Sequence, residues 1–302
     1  MDKMTGADYS AIQVTLAIDN PGLRRGLHDA LKQWGFQAIS EATTYSQVHE
    51  LLRSSNPDLV LAVSEMDNFF VGHLVKEVRH ANLGNHPFPV FILLLPSANP
   101  DYVKKVADCG PDDVLLMPVS TQQLLTRVSV LTRGRKPFVV THDYVGPDRR
   151  KQTRDEAQVI TPVEVPNPVG AKAGRMNAAR LQRDIEAGAR LLSNLKIERH
   201  AVQIQWLNDT IQNAFRSGKV EPRQMLTHTF GLSEIAKDLE RRTKDWQNSQ
   251  IPEYSAQLLT AAKALETAGA SAGGRQLDNL TQVSGRIVTA IRRSLPSMGA
   301  IA

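Results

Sequence analysis

Between residues 13 and 134 the sequence passes five times from a short apolar run to a longer amphipathic stretch, and few folds accept that rhythm. The run VTLAI (14–18) reads as a buried strand. Asn20-Pro21 then opens a helix through Leu23, Leu27, Leu31 and Trp34, which Gly35 closes. The unit repeats: strand FQAISEA and helix TYSQVHELL; strand LVLAVS and helix FFVGHLVKEVRH; strand VFILLL and helix DYVKKVADCG; strand DVLLM and helix TQQLLTRVSVL. Strands this apolar are buried on both faces, so the pattern predicts an α/β domain over 12–134. It is built on a five-stranded parallel, doubly wound sheet with its site at the carboxyl ends of the strands.

The rhythm then stops. Residues 135–176 hold FVVTHDYVGPDRR, a charged run, and three prolines at 162, 166 and 168; they read as a basic, proline-rich linker. From 177 to 296 the period is helical. Leu181, Ile185, Gly188, Leu192, Leu195, Arg199, Val202 and Trp206 step by four and three along one long helix. Pro222 opens a second, whose Met225, His228, Leu232, Ile235, Leu239 and Trp246 share a face. Residues 253–267 and 275–294 give two more, so an all-α four-helix bundle is expected, with residues 1–11 a flexible N-terminus and 297–302 a short tail.

Composition excludes more than it assigns. At 302 residues, 41% hydrophobic and 22% charged, the chain suits a protein of two globular domains. No leader-like or bilayer-spanning apolar run is present, so a cytoplasmic protein with no membrane partner is expected. The lone Cys109 has no partner at metal-ligand spacing and reads as a small core residue; neither a metal nor another cofactor is expected. Phosphate-cradling glycine loops and Gly-x-Ser-x-Gly elbows are missing, which argues against an enzyme. Residues 133–154 carry seven Lys or Arg against two Asp, a basic window suited to phosphate or acidic partners, or to a solvated linker.

Three stretches of the first half, IDNPGLRRGLHDALKQWGF, PDLVLAVSEM and CGPDDVLLMPVS, resemble the opening, central strand and last strand of the receiver domain of bacterial two-component response regulators. The segment KPFVVTHDYVGPDRR resembles a tail that follows receivers in a group of alphaproteobacterial regulators. The resemblance implies the CheY-like, flavodoxin-like version of the doubly wound fold. It also implies a chemistry: a strand-three aspartate takes a phosphoryl group, neighbouring acids hold Mg²⁺, and a hydroxyl and a lysine bind the product. This sequence departs from that pattern at nearly every chemical position. The acidic pair becomes Ile18 and Asp19, leaving Asp19 as the only retained acid of the metal site. The phosphoacceptor position holds Val63, the hydroxyl position Leu94, the switch aromatic Val114 and the lysine Met117. Valine offers neither a nucleophile nor a charge. The expectation is a degenerate pseudo-receiver that keeps its fold and binds without phosphorylation.

Candidate contact residues are Arg24 and Arg25 on the first helix and Arg149 and Arg150 in the GPDRR tail. The helical half is weakly similar to histidine phosphotransfer bundles, and His228 is its candidate histidine. Gly231 and Leu232 stand three and four places on, where that class has Lys and Gly, and the helical period turns His228 inward. The leading expectation is a non-catalytic signalling adaptor. Its partner is a protein such as a histidine kinase, a phosphotransfer protein, another response regulator or a second copy of itself. Two alternatives stand beside it: DNA binding through the basic linker, and an unconventional phosphorelay through Asp19, Glu65 or His228. Nucleic acid is disfavoured because no basic recognition helix is present and few aromatics interleave the basic window.

Overall fold

The computed structural model describes residues 7–150 and 160–295. The chain divides into two compact units, 1–190 and 191–302.

The first unit is an α/β domain. Its strands β1 (Gln13–Ala17), β2 (Ala38–Ala42), β3 (Leu59–Val63), β6 (Val90–Leu95) and β7 (Asp113–Leu116) form one parallel sheet in the order β2-β1-β3-β6-β7. The order reverses direction at β1, the doubly wound topology of the flavodoxin-like, CheY-like class. Position in the sheet explains composition. The central strands β3 (LVLAV) and β6 (VFILLL) are buried along their whole length, whereas edge strand β2 (AISEA) exposes most of its residues. Helix α1 (Pro21–Gln33) starts where expected, with Asn20 accepting from the Leu23 N–H. Thr44 caps α2 (Tyr45–Ser54) in the same way. Asn99 caps α4 (Pro100–Ala107), and a Ser120/Gln123 capping box starts α5 (Thr121–Arg133).

The third helix departs from the expectation. Phe69 and Phe70, read as its first turn, instead form strand β5 (Phe69–Phe70), which pairs with β4 (Glu65–Met66); α3 begins only at Gly72 and ends at Arg79. The cause is the turn between them, where Asp67 and Asn68 both take positive φ, 52° and 64°. Two consecutive left-handed residues make the tight hairpin turn that Asp and Asn tolerate best.

The segment read as a linker is also folded where it is described. Strands β8 (Phe138–Val140) and β9 (Val145–Pro147) form an antiparallel hairpin, all six residues buried. Val163 bridges to Phe138, and α6 (Pro168–Ala173) adds Val169 and Ala173 to the core of the sheet domain. Lys172 on α6 reaches the buried Asp58 at 2.7 Å. Two glycines permit the hairpin to seat. A Cβ on Gly110 (φ +86°) would lie 2.6 Å from the Val145 carbonyl oxygen, and one on Gly146 would lie 2.8 Å from the Gly110 Cα. Helix α7 (Ala178–Arg216) begins in this first unit: Gly188 comes close to Phe88 and Pro166.

The second unit is a helical bundle formed by α7 beyond residue 190, α8 (Pro222–Thr243), α9 (Ile251–Ala268) and α10 (Gly274–Ser294), with a 3₁₀ turn at Gly269–Ser271. Gln212 and Asn208 bond to Leu277 and Thr281, which sets α10 antiparallel to α7. A single core joins the four helices through Ile204, Leu207, Leu232, Leu258, Leu280 and Ile287. Helices α7 and α8 keep the apolar periodicity of their sequences.

Candidate functional site

In an open parallel sheet the ligand crevice lies beyond the carboxyl ends of the strands, where the strand order reverses. The chain places the five degenerate positions along those ends. Ile18, just past β1, and Leu94 on β6 are fully buried, and Val63 at the end of β3 is 5% exposed. Val63 and Leu94 are register partners, so two apolar side chains meet where a nucleophile and a hydroxyl would be needed. Val114 and Met117 are half-buried and pack on the same core. Asp19 is exposed and accepts from the Asn20 N–H at 2.8 Å.

A cation of the protein itself occupies the loop after β1. Arg24 Nη1 donates to the carbonyl oxygens of Ile18 (2.9 Å) and Asp19 (3.1 Å), and Arg24 Nε donates to Glu41 at 3.0 Å. The side chain is therefore committed to fastening β1 to α1 and the end of β2. Among the described residues no group of three or more His, Cys, Asp or Glu is placed to hold a metal ion.

On the other side of Val63, Ser64 is fully buried and its hydroxyl lies 2.8 Å from the Tyr102 hydroxyl of α4. The β4–β5 hairpin follows directly. It is tied down by the Ser64 carbonyl, which accepts from Val71, and by Asp67, whose carboxylate accepts the Tyr45 N–H at 2.8 Å. Tyr45 and Phe69 then stack their rings 5.1 Å apart, leaving Phe69 largely exposed. An open pocket of about 450 Å³ adjoins this corner, lined by Glu65, Pro96, Ser97, Asn99, Asp101, Tyr102 and Lys105.

Among the contact residues named from sequence, Arg25 is exposed. Arg149 donates to the Pro111 carbonyl oxygen at 2.7 Å, and Arg150 pairs with Asp148 and donates to Ile160 O. Both GPDRR arginines are thus used to hold the tail in place. Within the basic window Arg135 is wholly internal, and Arg133 bonds to Ser129. Residues 151–159, the rest of the charged run, lie outside the described residues. His228 is half-buried, edge-on to the Trp206 ring at 5.8 Å, and burial lowers its proton affinity. Cys109 is buried, and burial pushes its thiol up to about 11, away from nucleophilic chemistry at neutral pH.

The sequence reading missed the most constrained charges in the domain. Asp112, just before β7, is clasped by Arg79 of α3 at 2.8 Å and by Arg135 at 2.7 Å, and all three side chains are at most 2% exposed. Arg79 also donates to Gly110, Pro87 and Pro89 carbonyls; Arg135 donates to Phe88, Pro89 and Pro166. The Phe138 ring lies against both guanidinium groups, at 5.0 and 4.7 Å. Burial drives the Arg79 guanidinium down to about 9 while Asp112 opposes the fall, so the pair stays ionised at neutral pH. The one available signal was Arg79 itself, a charge four places after Val75 on an apolar stripe.

No protein-family pattern matches the chain, and no curated protein does. Its structural neighbours are receiver domains of response regulators. The response regulator DrrB of Thermotoga maritima is 18% identical with a TM-score of 0.37, the match covering 43% of this chain and 56% of that one. The chain therefore spans little more than half of that protein's length. The signal receiver domain of NarL from Mycobacterium tuberculosis is 23% identical with a TM-score of 0.36, over 41% of this chain and 98% of that domain. A chemotaxis response regulator of Vibrio cholerae is 17% identical, TM-score 0.36, over 39% and 97%. No helix among the described residues is long and apolar enough to cross a membrane.

Proposed function

We propose that this chain is a non-catalytic adaptor of two-component signalling, whose receiver-like domain (12–134) accepts no phosphoryl group and works by binding other proteins. The observation that carries the reading is the buried pairing of Val63 with Leu94, an apolar contact in the place of the acceptor. Phosphoryl transfer to a carboxylate needs a nucleophile, a metal to neutralise the transferred oxygens, and room beside both. Here the nucleophile position is a methyl-bearing side chain, and Arg24 already satisfies the β1 loop carbonyls. Removing carboxylates from such a cluster also removes their mutual repulsion and adds apolar burial, so fold stability gains what signalling chemistry loses.

Exposed apolar residues support a binding role. The helical unit presents Val202 and Trp206 on α7 and Leu226 and Phe230 on α8, and the sheet domain presents Leu116 and Val130. In this reading the helical unit engages a protein partner or a second copy of the chain.

The test is phosphoryl uptake, followed by intact mass after incubation with Mg²⁺ and a small phosphodonor, with an ordinary receiver alongside. The unmodified mass is expected. A stable adduct would overturn the proposal, and its position at Asp19, Glu65 or His228 would show which group had been misjudged.

A further inference from the structure

One end of the helical unit holds an unusual concentration of positive charge. Lys196 and His200, one turn apart on α7, are 2% and 3% exposed, and Arg199 lies on the same side of the helix. Asp238 and Arg242, one turn apart on α8, face them. His200 Nε2 is 2.7 Å from Asp238 Oδ2, Arg242 Nε donates to the same oxygen at 2.7 Å, and Arg241 donates to Oδ1. Among the described residues every ion pair of this cluster ends on Asp238. Glu198, which feels the charge of Arg199, is the other carboxylate at hand.

Four cations therefore stand against two carboxylates, and most of the cations are withdrawn from water. Lys196, Arg241 and Arg242 are all engaged in interactions, but engagement leaves the charge excess in place. A buried excess of positive charge is strongly unfavourable unless an anion shares the site. Two atoms point the same way: Arg199 Nε and His200 Nδ1 are buried without a hydrogen-bond partner among the described residues. An arginine Nε can only donate, and Nδ1 of a histidine whose Nε2 meets a carboxylate becomes a donor when the ring is protonated. Both would be satisfied by an oxygen acceptor.

We propose that Lys196, Arg199, His200, Arg241 and Arg242 form an oxyanion site, taking a carboxylate or phosphate group against the cluster. Guanidinium and ammonium donors bind such oxygens through short charge-assisted hydrogen bonds, and the partly buried setting strengthens them. Two sources share this chemistry: a free oxyanion, and an oxyanion group borne by the chain's own residues beyond Leu295.

The test is calorimetric titration of inorganic phosphate into the full chain at low ionic strength. It is repeated with Arg241→Ala, with Arg199→Gln, and with a chain ended at Leu295, which keeps every residue of the helical core. Arg241 is 39% exposed, so its replacement leaves the bundle folded. Arg150→Ala, in the other unit, is the control. A single saturable site weakened about tenfold by Arg241→Ala, with the control unchanged, establishes a free oxyanion site. Binding seen only in the shortened chain, and weakened there by either arginine variant, assigns the oxyanion to the chain's own end. No binding by either chain, or binding that neither arginine variant alters, overturns the proposal.

Discussion

Replacing Asp112 with Asn tests the buried Arg79–Asp112–Arg135 cluster at its centre. The carboxylate accepts from both guanidinium groups and from the Phe91 N–H. Asparagine keeps the shape and one acceptor, but it removes the negative charge and turns an NH₂ group toward donors. Breaking a buried ion pair by removing one partner costs about 3–5 kcal/mol, because the other charge stays buried. Here two arginines are stranded. Their carbonyl contacts soften the loss, so about 4 kcal/mol is expected, a large part of the roughly 5–15 kcal/mol that holds a domain together. The assay is urea unfolding followed by far-UV circular dichroism, with hydrogen exchange read at Phe138, Val140 and Val145. The midpoint should fall, and those hairpin amides should exchange faster than amides in β3 and β6. Replacing all three charges with apolar residues of similar volume should recover much of the loss. A cost below about 1 kcal/mol, or unchanged exchange in the hairpin, would refute the reasoning.

Three other outcomes follow from the same geometry. Val63→Asp places a carboxylate opposite Leu94; it should titrate above the ordinary carboxylate range and cost about 3 kcal/mol or more, and a stable variant that takes up phosphoryl would contradict the packing described. His86 accepts the Phe88 N–H through Nδ1, and burial first, then Arg135, Arg79 and Lys172, lower its pKa to about 4. A depressed folded pKa means its stabilisation is complete above the unfolded value of about 6.5 and is lost as pH falls toward 4, a window that NMR titration and His86→Gln should expose; titration near 6.5 in the folded chain would contradict it. Gly110→Ala should cost about 2 kcal/mol or more, through both its positive φ and its contact with Val145, whereas Gly134→Ala, with nothing within 4 Å, should be close to neutral in the same melt.

The sheet domain was legible because buried parallel strands must be apolar throughout and the helices between them must be one-sided; LVLAV and VFILLL could hardly be anything else. The four-helix unit was legible from its period. What escaped was structure made by distant pairs. The Asp67-Asn68 turn has a local signature, but the two phenylalanines after it suit a helix start equally well, and only pairing with Glu65 and Met66 decides. The 135–176 segment has the prolines and charges of a linker. Its burial depends on Asp112 and Arg79, dozens of residues upstream, and on a glycine-to-glycine approach that neither position announces. At the candidate site, the loss of chemistry could be read residue by residue, whereas the use of Arg24 as an internal clamp could not, since an arginine on a first helical turn is ordinarily solvated.

The Phe138 ring between two guanidinium groups bears on how the protein can be divided in the laboratory. A fragment stopped at residue 134, where the sheet pattern ends, would discard Arg135 and Phe138 together and open Asp112 and Arg79 to water on one side. Such a fragment is expected to express poorly or aggregate, while one carried through residue 190 retains the clasp, the hairpin and α6.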